Sequence, residues 1–343
     1  MTADSELAPA LPPSSKVRRY LFLLIVLGLS LYLLLPQFAR IQHALQVAST
    51  LKIQFIALAL GAQAMSYAGS GYLLRAVVGL VARPVSVVDG ALVTAGANSI
   101  GTLGGGVLGT AGMTYLWLRK RGVGPGAAGL GGWIPIFLND ATLALVSLIG
   151  LLTLVLLGKF SSLLILGLTL AVLILGGSIA IFIWCLTHRE SMTPVATAIA
   201  KFATRLRRKA VDPREIQLAV GRLLAAWDTL LERGWMAPAA GAVLNTGFDM
   251  LTLAFLFLSA GHGVSPLVLI AGYGVPQLLG KLTVILGGVG VVETAMVGLY
   301  AALGVPTPIS IVVVLVYRLF SFWIPTLAGI ALVPYLEHAK GVK

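Results

Sequence analysis

Leu103-Gly-Gly-Gly-Val-Leu-Gly-Thr-Ala-Gly-Met113 interrupts an apolar run that otherwise extends from Val85 to Leu118. Laid on it without gaps, Ile285-Leu-Gly-Gly-Val-Gly-Val-Val-Glu-Thr-Ala295 interrupts a second run. Glycine loses more backbone entropy than any other residue when fixed in a helix, so each cluster predicts a helix break. In the same register Gly122-Val-Gly-Pro falls on Gly304-Val-Pro-Thr, a turn signal ahead of the next long span. Glycine clusters also recur in membrane helices simply because they aid close packing. The register shared by cluster and downstream turn favours an internal repeat.

The surroundings of both clusters are those of a membrane protein. The 343 residues are 58% hydrophobic and only 10% charged, with a mean hydropathy of +0.97; a soluble globular chain carries about 25% charged residues. Apolar stretches approaching or exceeding the ~20 residues of a spanning helix run at Tyr20–Pro36, Phe55–Val78, Gly132–Leu157, Leu163–Leu186, Trp235–Ser259 and Ile309–Tyr335. Without water every backbone group must bond internally, which selects helices; the runs are continuous rather than alternating, which argues against a strand barrel. The expected fold is all-α: a polytopic bundle of about six full spans plus two Gly-rich re-entrant hairpins, arranged as an inverted repeat.

Basic residues set the expected topology. Lys16, Arg18 and Arg19 place the N-terminus in the cytoplasm, and Tyr20–Leu35 reads as a retained span rather than a cleaved signal. The second span returns at Arg83. A simple crossing from there would strand Arg119-Lys120-Arg121 outside, whereas a segment that dips in and turns back keeps them inside. The linker with Arg189, Lys201, Arg205, Arg207, Arg208, Lys209 and Arg214 also falls on the cytoplasmic side, and Lys340 and Lys343 put the C-terminus there. The layout is then a disordered tail 1–19; an N-terminal membrane half 20–187, with spans near 20–36, 53–80, 126–157 and 160–187 and a hairpin at 86–118; a basic linker 188–234; and a C-terminal half 235–337, with spans near 235–260 and 306–335 and a hairpin at 265–303. The second broken segment is expected to be interrupted at Gly272, Gly274, Pro276 and Gly280 as well as at its cluster.

Leu286-Gly-Gly-Val-Gly-Val-Val-Glu293, Leu303-Gly-Val-Pro306, Tyr317-Arg318 and Pro325 together resemble the lysylphosphatidylglycerol synthase transmembrane-region family, the flippase-like proteins of uncharacterised family 0104. Members show Pro/Gly-Gly-x-Gly-x-x-Glu and a Tyr-Arg pair in the last span; here Leu286 stands where a proline often precedes the glycines. The resemblance covers nearly the whole chain. In bifunctional members this region resembles a flippase for aminoacylated phospholipid, with a separate soluble domain attaching the amino acid. The sequence through Lys343 carries no such domain, so the resemblance implies lipid translocation in the inner membrane without lysyl-lipid synthesis. Stand-alone relatives are associated with other lipids, hopanoids among them. The alternative is a non-transporting scaffold for a separately encoded lipid- or glycan-modifying enzyme.

Charges inside spans are costly and mark candidate sites. Glu293 follows the second cluster, Arg318 and Tyr317 lie in the last span, and Lys281 is in the first arm of the second hairpin. Asn139 and Asp140 follow the first hairpin, and Asn245 and Asp249 precede the second. In the substrate-binding reading, Gly104, Gly105, Gly106, Gly287, Gly288 and Gly290 present backbone N–H groups to a lipid phosphate. Arg318 and Lys281 then add charge, and Glu293 holds Arg318 in the empty state or meets a cationic headgroup. In the structural reading, Glu293 and Arg318 only lock hairpin to span, and Asp140 and Asp249 are held by hydrogen bonds. Asn98 and Gln277 are weaker candidates, and Arg75 snorkels.

Nothing in the sequence points to catalysis. Gly-x-x-x-x-Gly-Lys-Ser/Thr and Gly-x-Ser-x-Gly are absent, and His43, His188, His262 and His338 are too dispersed for a metal cluster. No cofactor is expected, and the single Cys185 reads as a packing residue. The net charge of +12 is spread over loops and points to anionic lipid rather than nucleic acid. Ile216, Val220, Leu223, Trp227, Leu230 and Leu231 share one face of a linker helix that either lies on the membrane or packs on span ends.

Overall fold

The computed structural model describes residues 49–158, 234–282 and 286–338, with isolated positions between 169 and 232; all lie in the unit His43–Lys343. The first span, the span at 160–187 (isolated positions apart), Cys185 and most of the basic linker lie outside the described residues. Within them the protein is all-helical, without a strand. The helices are α1 Ile53–Gly79, α2 Val87–Ile100, α3 Gly106–Lys120, α4 Pro125–Leu157, α5 Met236–Ser259, α6 Pro266–Leu282, α7 Val291–Ala302, α8 Thr307–Arg318 and α9 Ile324–His338. Three stretches are long and apolar enough to cross a membrane: Pro125–Leu156, Met236–Ser259 and Thr307–Leu336. α1 is also long, at 27 residues, but Gln63, Ser66 and Ser70 dilute its apolarity. All three are buried, turned inward.

Local chemistry explains the helix limits. Ser86 caps α2 by accepting from the Asp89 N–H at 3.0 Å, leaving Asp89 at the positive end of the helix. Pro125 occupies the first turn of α4, where its missing N–H costs nothing.

α1 and α5 run antiparallel through the middle of the fold. The Lys52 N–H donates to the Ser259 carbonyl at 2.9 Å, and glycines let the backbones touch along the crossing. A Cβ on Gly69 would lie 2.7 Å from the Asn245 nitrogen, and one on Gly241 2.7 Å from the Leu73 Cα. This is the small-residue packing of membrane helices. α2 and α3 fold back on each other, with Gly96 against Trp117, and α6 and α7 do likewise, with Gly272 against Tyr300 and Gly280 against Val292. α6 lies along α4, while α2 lies along α9.

The helix breaks are narrower than the sequence predicts. The first is a π-helical turn over Gly101–Gly105, closed by the Gly106 N–H donating to the Gly101 carbonyl; α3 then resumes at once, with Gly106 at φ 55°. The second includes a tight turn at Leu286–Gly288 ahead of α7, where Gly287, Gly288 and Gly290 have φ of 63°, 64° and 83°. Gly272, Gly274, Pro276 and Gly280 do not break α6, which continues as one helix from Pro266 to Leu282. Instead they admit neighbours: a Cβ on Gly274 would lie 2.9 Å from the Ser147 nitrogen of α4. A third irregularity, a π-helical turn over Leu319–Trp323, separates α8 from α9 in the last span.

Candidate functional site

α5 carries Asn245 and Asp249 one helical turn apart, facing α1, α4, α6 and α8. The Ser66 Oγ lies 2.9 Å from the Asn245 carbonyl and 2.8 Å from its Oδ1, and Asn245 Nδ2 donates to Asn139 Oδ1 at 3.2 Å. Beside Asn139, Asp140 forms an ion pair with Lys281 of α6. This pair faces outward: the side chains are 21% and 46% exposed.

One turn further along α5, Asp249 Oδ2 accepts from Tyr273 OH at 2.8 Å and Tyr317 OH at 2.7 Å. Gln277 Nε2 donates to the Tyr317 oxygen at 2.8 Å, so α5, α6 and α8 are joined by one chain of hydrogen bonds. Gln63 of α1 closes the same cluster against Asp249.

Next to Tyr317, Arg318 turns the other way. Its Nε donates to Glu293 Oε1 at 2.6 Å and its Nη2 to the Gly287 carbonyl at 3.1 Å. The guanidinium carbon sits 4.2 Å from the centre of the Phe322 ring, a cation–π geometry. The second Glu293 oxygen accepts the Gly290 N–H at 2.7 Å, which anchors the start of α7. The Glu293 and Arg318 side chains are 3% and 5% exposed.

The two glycine breaks meet. A Cβ on Gly287 would lie 2.3 Å from Phe322 and 3.2 Å from Thr102 Cγ2. Three irregular segments therefore converge on one point: the first break at Thr102, the second at Gly287 and the π-helical turn at Phe322. Gly106 of the first break and Gly287 of the second are exposed.

Of the sequence candidates, Asn139, Asp140, Asp249, Lys281, Gly287, Gly290, Glu293, Tyr317 and Arg318 all lie in this connected belt. Gly288 packs tightly against Gly280. Gly104 and Gly105 form part of the first turn. Asn98 is exposed on α2, and Arg75 is exposed near the end of α1. One expectation needs revision: the Gly290 N–H is not presented to a ligand, because the Glu293 carboxylate already accepts it. Sequence reasoning missed Gln63, Tyr273 and Phe322. Gln63 with Tyr67, and Tyr273 with Gln277, are polar pairs at i, i+4 within apolar spans, a spacing that puts each pair on one helix face.

Trp227 of the linker packs edge-on against Phe137 of α4 at 6.1 Å and joins the cluster of Leu73, Val77 and Leu130. At this residue, at least, the linker touches the bundle.

Comparison with known proteins adds the family. A profile described as the lysylphosphatidylglycerol synthase TM region matches residues 20–329. A UPF0104 membrane protein of Methanocaldococcus jannaschii is 28% identical over 152 residues, 43% of this chain and 45% of the relative. One from Pyrococcus horikoshii is 36% identical over 83 residues, 24% of this chain and 25% of its own. Another from Methanothermobacter thermautotrophicus is 28% identical over 95 residues, 28% of each chain. The matched regions thus span less than half the length of these relatives. With the profile extending over most of its length and apolar helices throughout its described part, the chain belongs to the lysylphosphatidylglycerol synthase transmembrane-region family and is a multi-pass membrane protein.

Proposed function

We propose that the protein moves a lipid, a phospholipid, hopanoid or other amphiphile with a polar head, between the leaflets of the inner membrane, without catalysing a covalent step. The observation that carries this reading is the meeting of the two glycine breaks, with the exposed Lys281 at the end of the helix that leads into the second. Irregular backbone at membrane depth is tolerated only where protein or a wet cavity surrounds it. Here Gly106 and Gly287 are exposed, which makes this the place where water and a headgroup enter.

Helix lengths support reading α2–α3 and α6–α7 as re-entrant hairpins. α2 has 14 residues, about 21 Å at 1.5 Å per residue, short of a bilayer's ~30 Å hydrocarbon core. The contacts support an inverted repeat. In the register that lays Leu103 on Ile285, α1 corresponds to α5, α2 to α6, α3 to α7, and α4 to α8–α9. Exchanging the halves turns the α4–α6 contact into the α9–α2 contact and maps the α1–α5 and break–break contacts onto themselves; all four are present. That is the layout of transporters that bind substrate between repeats.

Within this site the roles divide by exposure. Lys281 is the group that meets a phosphate, leaving Asp140 to do so. Arg318, bonded to Glu293 and Gly287, holds the break in position. The linker 188–234 contributes a basic surface for anionic lipid, and a separately encoded lipid-modifying enzyme is the natural partner to supply substrate.

The test is lipid movement in proteoliposomes, with labelled lipids of several headgroups, hopanoid and polyprenyl lipids included. Headgroup-dependent movement that falls in Lys281→Ala is expected. No movement above empty liposomes, from protein shown to be folded, overturns the reading in favour of a membrane scaffold for a lipid- or glycan-modifying enzyme.

A further inference from the structure

Asp249 is surrounded by neutral donors. Tyr273 and Tyr317 donate to its Oδ2, and Gln63 approaches from α1. Among the described residues it makes no ion pair. Arg318 acts on it only across space, and that guanidinium is already bonded to Glu293 at 2.6 Å. The other nearby cation, Lys281, is paired with Asp140. One arginine thus faces two carboxylates, and the inner cluster is one positive charge short of neutral. Within a membrane such a charge is paired or neutralised.

Gln63 gives the second observation. It is 6% exposed, and its Oε1 has no hydrogen-bond partner. Facing a carboxylate, the amide must offer its NH2 group and leave its oxygen without a donor. A half-turn of the amide exchanges the two ends at almost no change in shape. A proton on the free carboxyl oxygen then supplies the missing donor, while both tyrosines continue to donate to Oδ2. The cluster therefore satisfies a carboxylate in one amide orientation and a carboxylic acid in the other.

The elements packed around Asp249 bring mostly neutral groups. α1 brings Gln63 and Tyr67; α6 brings Tyr273 and Gln277; α8 brings Tyr317 and Arg318; α7 brings Glu293 through Arg318; α4 brings Asn139 and the paired Asp140. None supplies a free positive charge. Asp249 itself keeps some exposure, although Tyr273 and Tyr317 are buried; Asn245 of the same helix is bonded to Asn139, which neighbours the half-exposed Asp140–Lys281 pair.

We propose that Asp249 is a proton-binding site and that its loading and unloading accompany headgroup movement. Hydronium gives its proton to the free carboxyl oxygen and leaves as water; release is the reverse, and no electron moves. The step turns Gln63 around and so changes the grip between α1 and α5, one of the helix pairs that join the two halves. The coupling rests on the translocase reading, whereas the proton site does not.

The test is pH-jump infrared difference spectroscopy on the full chain in liposomes, in sodium-free buffer. A carboxylic-acid carbonyl band is expected on acidification, lost in Asp249→Asn and shifted to higher frequency in Tyr273→Phe, where that carbonyl loses a donor. A band unchanged by both substitutions, no band at all, or a response to sodium instead of protons overturns the proposal. In the same liposomes an imposed pH gradient is expected to change lipid movement several-fold in the wild type and not in Asp249→Asn. A normal band with no lipid movement leaves the proton site standing and removes the translocase. Gradient-independent movement in the wild type overturns the coupling.

Discussion

Arg318 and Lys281 are two cations in one belt, yet their surroundings give them opposite work. Arg318 is bonded to Glu293, to the Gly287 carbonyl and to the face of Phe322. Removing one partner of a buried pair leaves a charge without compensation, at a cost of about 3–5 kcal/mol. Arg318→Ala is therefore expected to lower the melting temperature in detergent sharply. The double variant Arg318→Met with Glu293→Gln, which leaves no charge behind, is expected to melt above Arg318→Ala. If the double variant melts as low or lower, the charge is not what the pair contributes. Lys281 differs because water screens it, and an exposed pair is worth only about 0–1 kcal/mol. Lys281→Ala is expected to leave the melting temperature nearly unchanged while lipid movement falls. A large loss of stability would show that the Lys281–Asp140 pair is structural.

At the level of elements, glycine has two uses that look alike in sequence. The clusters at 103–113 and 285–295 were legible as breaks because several glycines are adjacent and the downstream turn keeps register. The same reasoning predicts further breaks at Gly272, Gly274 and Gly280, but isolated glycines in an apolar helix usually serve its neighbours, here Tyr300, Ser147 and Val292. Nothing in Leu319-Phe-Ser-Phe-Trp323 signals a π-helical turn, since it contains neither glycine nor proline. Asp249 and Arg318 stood out as charges in spans; Tyr273 and Gln63 did not, because uncharged polar residues in spans are ordinary. The distinction between glycines can be tested where α1 crosses α2. A Cβ on Gly71 would lie 2.1 Å from the Val87 carbonyl oxygen, whereas one on Gly112 of α3 meets nothing within 4 Å. Gly71→Ala is expected to cost at least the ~1–3 kcal/mol of overpacking. Gly112→Ala is expected to be neutral or to stabilise by up to about 1 kcal/mol through helix propensity. Equal effects in thermal unfolding would mean that the crossing yields and the glycine is not needed for close approach.

For the whole molecule, packing assigns residues far apart in sequence to one end or the other. Val78, Val123 and Leu336 share a cluster, so the loop at Arg83, the turn after Arg119, Lys120 and Arg121, and the end of α9 lie together. The Lys52–Ser259 hydrogen bond, at 2.9 Å, and the cluster of Leu154, Ala271 and Leu303 mark the opposite end. Lysine and arginine concentrate in cytoplasmic loops, so the first end is expected inside. In a Cys185→Ser background, a cysteine at Gly263 is expected to react with a membrane-impermeant maleimide in intact cells. A cysteine at exposed Pro84 is expected to react only after permeabilisation. The reverse pattern would turn the molecule over and leave four basic residues outside against the usual bias. Labelling of both sites from the same side would be more damaging. α1 ends just before Pro84 and α5 just before Gly263, so both sites on one face would mean that the equivalent helices cross in the same direction. The two halves would then not be inverted, and a headgroup site shared between opposed hairpins would lose its geometric basis.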